Sequence, residues 1–149
     1  MTEVLFYHLT VSTLEDALPG LLERSVSRGW RAVVQTSSEE RRNAIDTVLW
    51  TFRDDSFLAH GLDSEPNAGE QPILLTTGPE NDNSAQIRFL VDGAPPPDLG
   101  SYERGVLLFD GHDKAQLAAA RSHWRELKEQ GHAVTYWQQT EDRRWERKA

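Results

Sequence analysis

The sequence predicts an α/β fold: a mostly parallel, Rossmann-like sheet with helices on both faces, built as a single domain. Two observations predict it. Short apolar runs of strand length alternate with longer segments of helical period, the order that strand-helix-strand units require. The 149 residues suffice for one proper core and show no repeat or low-complexity segment that would divide it.

Val4 to Leu9 is an apolar and aromatic run bounded by polar residues, and it reads as the first strand. Ser12 and Glu15 stand at capping-box spacing, and Leu14, Leu18, Leu21, Leu22 and Val26 form one apolar face, so a helix follows that stops at Gly29. Pro19 and Gly20 interrupt that helix and predict a kink. Arg31 to Val34 reads as the second strand. Ser37 with Glu40 opens a second helix, in which Ala44, Ile45, Val48 and Leu49 recur at three-to-four spacing. Periodicity lapses after Trp50 and through Asp63 to Glu70. Pro72 to Leu75 reads as a buried strand, Gly78 to Ser84 as turn material, Ile87 to Val91 as a strand and Ala94 to Asp98 as a stiff proline loop. Val106 to Phe109 is a strand leading to Asp113, the N-cap of a long helix with Gln116 three residues on and Gly131 at its end. Ala133 to Trp137 is the last strand. Residues 1–140 are read as the domain, and Glu141 to Ala149 as a charged tail.

Composition narrows the function. Twenty-four acidic against sixteen basic residues give a net charge of -8, so a phosphate backbone repels the chain unless its cations are gathered locally. Direct binding to nucleic acid is not expected. The absence of cysteine removes disulfides, thiolate nucleophiles and cysteine-zinc sites, and fits a reducing compartment. Met1 to Thr10 has no basic leader region and no run approaches the length of a membrane span, so a soluble cytoplasmic protein is expected.

The motifs that would make such a fold an enzyme are missing. After Leu9 comes Thr10-Val11-Ser12, and after Val34 comes Gln35-Thr36-Ser37; neither is a glycine-rich phosphate cradle or a dinucleotide fingerprint. No GxxxxGK[ST] occurs. Five histidines without a serine elbow or a cysteine leave no nucleophile, base and orienter, and His123 with Glu126 reads as a solvated polar face. Asp54, Asp55, Asp92 and Asp110 sit near strand or helix ends, where a small metal-dependent nuclease or phosphotransfer enzyme would hold its ions; that reading would use Asp54, Asp92 or Asp110. Nothing in the sequence pairs them. No catalytic residue, metal or cofactor is expected.

The segment Asp113 to Gln130 carries the strongest functional signal. On a helical wheel with Leu117 at zero, Leu127, Ala120 and Trp124 fall at about 280°, 300° and 340°, while Lys128, Arg121, Lys114 and Arg125 follow at about 20°, 40°, 60° and 80°. A basic stripe thus runs beside an apolar one, with Trp124 at the seam. Arg121, Arg125 and Lys128 repel one another unless an anion compensates, and Glu126 and Glu129, at about 180° and 120° on the same wheel, cannot neutralise them all. Cations next to an aromatic suit a ligand both acidic and apolar, such as a peptide tail ending in carboxylates and a hydrophobic residue.

Six stretches carry a resemblance: FYHL near the start, LPGLLERSVSRGWRAVV, LWTFRDDSFLAHG, QPILLT, FDG and AAARSHWRELKEQGHAVTYWQQ. In this order and spacing they resemble the chi subunit of the bacterial DNA polymerase III holoenzyme through nearly the whole chain. The resemblance implies a Rossmann-like domain without enzymatic activity. It implies two partners, the psi subunit, which ties chi to the clamp loader, and the acidic C-terminal tail of the single-stranded-DNA-binding protein. In that family the tail docks on positions that fall here on Arg121, Trp124 and Arg125, beside Lys128, with Trp50 as an aromatic wall. Better-studied members carry a tyrosine and a lysine where this chain has Trp124 and Arg125, changes that keep the ring and the charge but alter reach. The psi contacts fall on the segment of Phe57 and around Asp110, which replaces an apolar residue.

Overall fold

The computed structural model describes residues 2–52 and 58–149. Strand β1 (Glu3–Leu9) leads into helix α1 (Leu14–Ser27), and β2 (Ala32–Gln35) into α2 (Glu39–Thr51). The short strands β3 (Gly61–Leu62), β4 (Ile73–Thr76) and β5 (Ile87–Leu90) follow, with a 3-10 turn at Ala68–Glu70 between the first two. Strand β6 (Arg104–Asp110) leads into α3 (Lys114–Glu129), β7 (Ala133–Gln139) and β8 (Trp145–Arg147). They form one eight-stranded sheet in the order β3-β4-β2-β5-β6-β1-β7-β8. Every pairing is parallel except β7 with β8. The predicted α/β fold with a mostly parallel sheet is therefore the observed one.

Strand alternation divides the core into two layers. Val34, Leu75, Phe89, Val106 and Leu108 point to one face, where Leu18 and Leu22 of α1 and Ile45 and Leu49 of α2 cover them. Val33, Leu74, Leu90, Leu107 and Phe109 point to the other, beneath Ala120 and Leu127 of α3. Alanine and leucine there let α3 lie close to the sheet, and Leu117 and Trp124 pack at its edge.

The rest of that second face is covered by irregular chain. Leu99 and Tyr102 are buried on it, and the Thr2 hydroxyl donates to both of their carbonyls, at 2.6 and 3.1 Å. Arg88 on β5, wholly buried, ties this cover down. Its Nε and Nη2 donate to Gln35 Oε1, Nη1 to the Glu80 carbonyl and the Tyr102 hydroxyl, and Nη2 also to the Gly78 carbonyl. All five guanidinium N–H groups therefore have acceptors.

Several local expectations move by a residue or change kind. The N-caps are Thr13 and Ser38, whose hydroxyls accept from the amides of Asp16 and Arg41 at 3.2 Å. Ser12 instead accepts with its hydroxyl from Gln139 on β7, a contact 127 residues away in sequence. Helix α1 runs through Pro19 and Gly20 as one element; the missing N–H forfeits one bond near the helix start, and Pro19 is buried with Leu18 and Leu22. The segment expected to be a charged tail contains β8, which pairs antiparallel with β7 through Trp137↔Arg147 and Gln139↔Trp145. Asp113 caps α3 as expected, accepting from the amides of Ala115 and Gln116, and Gly131 ends it at φ +89°.

Candidate partner-binding site

Helix α3 presents the basic and aromatic stripes side by side. Ala120 and Leu127 are buried, Leu117 and Trp124 half-buried, and Lys114, Arg121, Arg125 and Lys128 exposed. Trp124 is anchored from below, edge-on to Phe6 of β1 at 5.4 Å and to Tyr136 of β7 at 6.0 Å. Lys128 Nζ stands 5.3 Å from its ring centroid. Among the described residues, no carboxylate lies within ion-pair distance of Lys114, Arg121, Arg125 or Lys128. In a chain of net charge -8 these cations form a local basic patch without an ion-pair partner among the described residues.

Two further residues belong to this surface. The Tyr136 hydroxyl lies 2.7 Å from His8 Nδ1, and His8 stacks on Phe109 at 5.0 Å. Burial raises the Tyr136 pKa and Arg121 opposes that shift, so the guanidinium charge reaches the phenol. Burial, reinforced by His112 and opposed by Asp110, lowers the His8 pKa, which leaves the ring neutral near pH 7. The period-two alternation of β7 puts Val134 and Tyr136 on the α3 face, a signal legible in the sequence once the strand register is known. His123, expected on a solvated face, is half-buried instead beside Gly93 and Ala94, where burial lowers its pKa against the opposing pull of Glu126.

The other expected site residues lie elsewhere. Trp50 stands near the end of α2, 53% exposed, with its ring 4.4 Å from that of His60. Because α2 and α3 cover opposite faces of the sheet, the structure does not bring Trp50 to the Trp124 surface. Phe57 falls outside the described residues, as do Asp54 and Asp55. Asp110 is exposed at the end of β6, where its carboxylate accepts from the His112 amide at 2.8 Å.

Asp110 also borders a cavity of about 300 Å3 at the ends of β1 and β6. Helices α1 and α3 leave these neighbouring strands toward opposite faces, so the cavity occupies the switch point where α/β sheets hold ligands. Its chemistry does not suit a phosphate. Arg41 is held by Glu15 at 2.7 Å and Asp92 at 3.0 Å, and both ion pairs raise its pKa. Burial pushes Glu15 up, but the Arg41 hydrogen bond prevails and its pKa is lowered. Among the described residues no three histidine or carboxylate side chains gather as they would around a metal ion, and Asp92 is engaged with Arg41. No described helix is long and apolar enough to cross a membrane.

A family model described as DNA polymerase III chi subunit, HolC, matches residues 1–135. A Pseudomonas aeruginosa protein named DNA polymerase III subunit chi is 27% identical over 114 residues, covering 76% of this chain and 78% of its own. A Rickettsia prowazekii protein named probable DNA polymerase III subunit chi is 24% identical over 91 residues, covering 61% of this chain; the match spans about half of that relative, 55% of its length. The chain therefore belongs to the DNA polymerase III chi subunit family, a family of accessory subunits of that holoenzyme.

Proposed function

We propose that this protein is a non-catalytic bridge between the clamp-loader complex and single-stranded-DNA-binding protein, and that it captures the acidic C-terminal tail of that protein on α3. The observation that carries this reading is the set of cations around Trp124 that have no ion-pair partner among the described residues, with Lys128 over its ring. Arg121 and Arg125 take the tail carboxylates as guanidinium forks. Trp124, backed by Phe6 and Tyr136, takes the apolar terminal side chain against a rigid aromatic wall. The cations steer the tail in, and the ring fixes its register. The negative body keeps the protein off DNA, which it meets through its partner. Attachment to the clamp loader runs through the psi subunit, docked at Asp110 and the segment of Phe57.

The test is a titration of a labelled peptide that is acidic and ends in an aromatic residue and a free carboxylate, at two salt concentrations. Arg121→Glu is expected to weaken binding by about tenfold or more and to flatten its salt dependence. No binding by the parent, or equal binding by the variant, overturns the reading.

A further inference from the structure

The opposite face of the sheet carries a second basic and aromatic surface. A cleft of about 250 Å3 opens between the C-terminal half of α1 and the sheet. Its floor is apolar, formed by Tyr7, Ile87, Phe89 and Val106. Arg24 in the last turn of α1, Arg28 at its C-cap, and Arg104 at the start of β6 form its walls. Arg28 and Arg104 stand 4.5 and 5.4 Å from the ring centroid of Trp30. Beyond Tyr7 the aromatic surface continues into Trp145 of β8, stacked on it at 4.5 Å. On this side α1 packs chiefly on β2 and β6, and α2 on β3 and β4.

The charges in this cleft are poorly compensated. Arg24 and Arg28 make no ion pair among the described residues, and Arg104 has only Glu3, at 3.4 Å. Arg104 Nε is buried without a hydrogen-bond partner. The fields of Arg104 and Arg24 converge on the Tyr7 phenol, opposing the rise in its pKa that burial causes. A cation in the last turn of α1 complements the helix dipole, which accounts for Arg24 but not for Arg104 on a separate strand.

We propose that this cleft is a second recognition site, on the sheet face opposite α3, for an acidic peptide segment of a partner protein that carries an apolar side chain. Charge complementarity and the distribution of polar groups select that occupant. Arginine N–H groups supply the donors around the rim, so the ligand must be rich in acceptors there. The floor offers aliphatic and aromatic surface, and the Ser25 hydroxyl beside it already donates to the Leu21 carbonyl at 3.0 Å. The net charge of -8 repels a polyphosphate backbone from the chain as a whole, whereas a short carboxylate segment with a leucine or phenylalanine finds both halves of its complement in the rim and the floor. The two faces would allow one chain to hold two acidic segments at once.

The experiment uses the full chain with Arg121→Glu and Arg125→Glu in place, which disables the α3 surface. The probe is a labelled Asp-rich peptide ending in Phe. Saturable binding is expected to persist, and adding Arg24→Glu and Arg28→Glu is expected to weaken it by about tenfold or more. Both arginines are exposed, so the fold should survive their replacement. Arg143→Glu with Arg144→Glu, an equal charge change in the β7–β8 turn, should leave binding unaltered. Absence of binding in the α3-disabled chain overturns the proposal, as does indifference to Arg24 and Arg28. An Arg24- and Arg28-dependent affinity for oligothymidylate without one for the peptide also overturns it. The α3 proposal is read separately, from the parent chain and the Arg121→Glu variant.

Discussion

Replacing Arg88 with methionine should loosen the chain that covers the second face of the sheet. Methionine fills much of the same space but supplies no donor. The substitution leaves four acceptors without their arginine: Gln35 Oε1, the Tyr102 hydroxyl and the carbonyls of Gly78 and Glu80. The two carbonyls belong to a turn that can open to water, so they are counted at zero. Gln35 and Tyr102 are about 5% exposed and cannot rehydrate in place. At about 1–3 kcal/mol for each buried group left unsatisfied, the loss is roughly 2–6 kcal/mol. A value near 3 kcal/mol lowers Tm by about 10 °C in a chain of this size. Urea unfolding followed by tryptophan fluorescence measures the difference, and hydrogen exchange should show faster opening of residues 78–102 than of β1 and β6. A loss below about 0.5 kcal/mol, or uniform exchange, refutes the role assigned to Arg88.

Three further outcomes follow from individual side chains. Asp113→Ala removes the α3 cap and should cost about 1 kcal/mol, read from the same urea curves. Gly131→Ala places a Cβ at φ +89° and should cost about 1 kcal/mol, whereas Gly20→Ala, inside α1, should be neutral or stabilising. His8 and His123 have pKa values lowered in the folded state, so below the ordinary 6.5 the unfolded chain binds protons first and stability falls with pH. Calorimetry between pH 7 and 5 should show a shallower slope for His8→Gln with His123→Gln. Glu15, lowered by Arg41, contributes stability above its ordinary 4.5 that is lost as pH falls through its folded value. Arg41→Met should remove that acid-side dependence.

The parts of the fold that were legible in the sequence are those whose pattern is local. Leu14, Leu18, Leu22 and Val26 announce α1 by spacing alone, and Asp113 and Gly131 bracket α3 by chemistry that needs no tertiary partner. What stayed hidden depends on distant contacts. Ser12 and Thr13 are equally good caps in sequence, and only the Gln139 side chain, arriving from β7, takes up the first hydroxyl. Strand β8 has too few apolar residues to declare itself, and its place depends on Trp145 stacking over Tyr7. Of the candidate site, the stripe on α3 followed from helical periodicity, while Tyr136 and His8 required the parallel register of β1 against β7. The resemblance groups Trp50 with α3, while local spacing carries no information about which face α2 covers.

The central claim is that the acidic tail binds on α3. The most direct measurement follows backbone amide shifts of the isotope-labelled protein while an acidic peptide with an aromatic C-terminus is added. The α3 site predicts saturable shifts on Leu117 to Lys128 and on the Tyr136 and His8 region, with the Trp124 indole among the largest, and the second cleft predicts a separate set around Arg24, Arg28 and Arg104. Shifts absent from α3 and gathered around Trp50 and His60 would contradict the central claim.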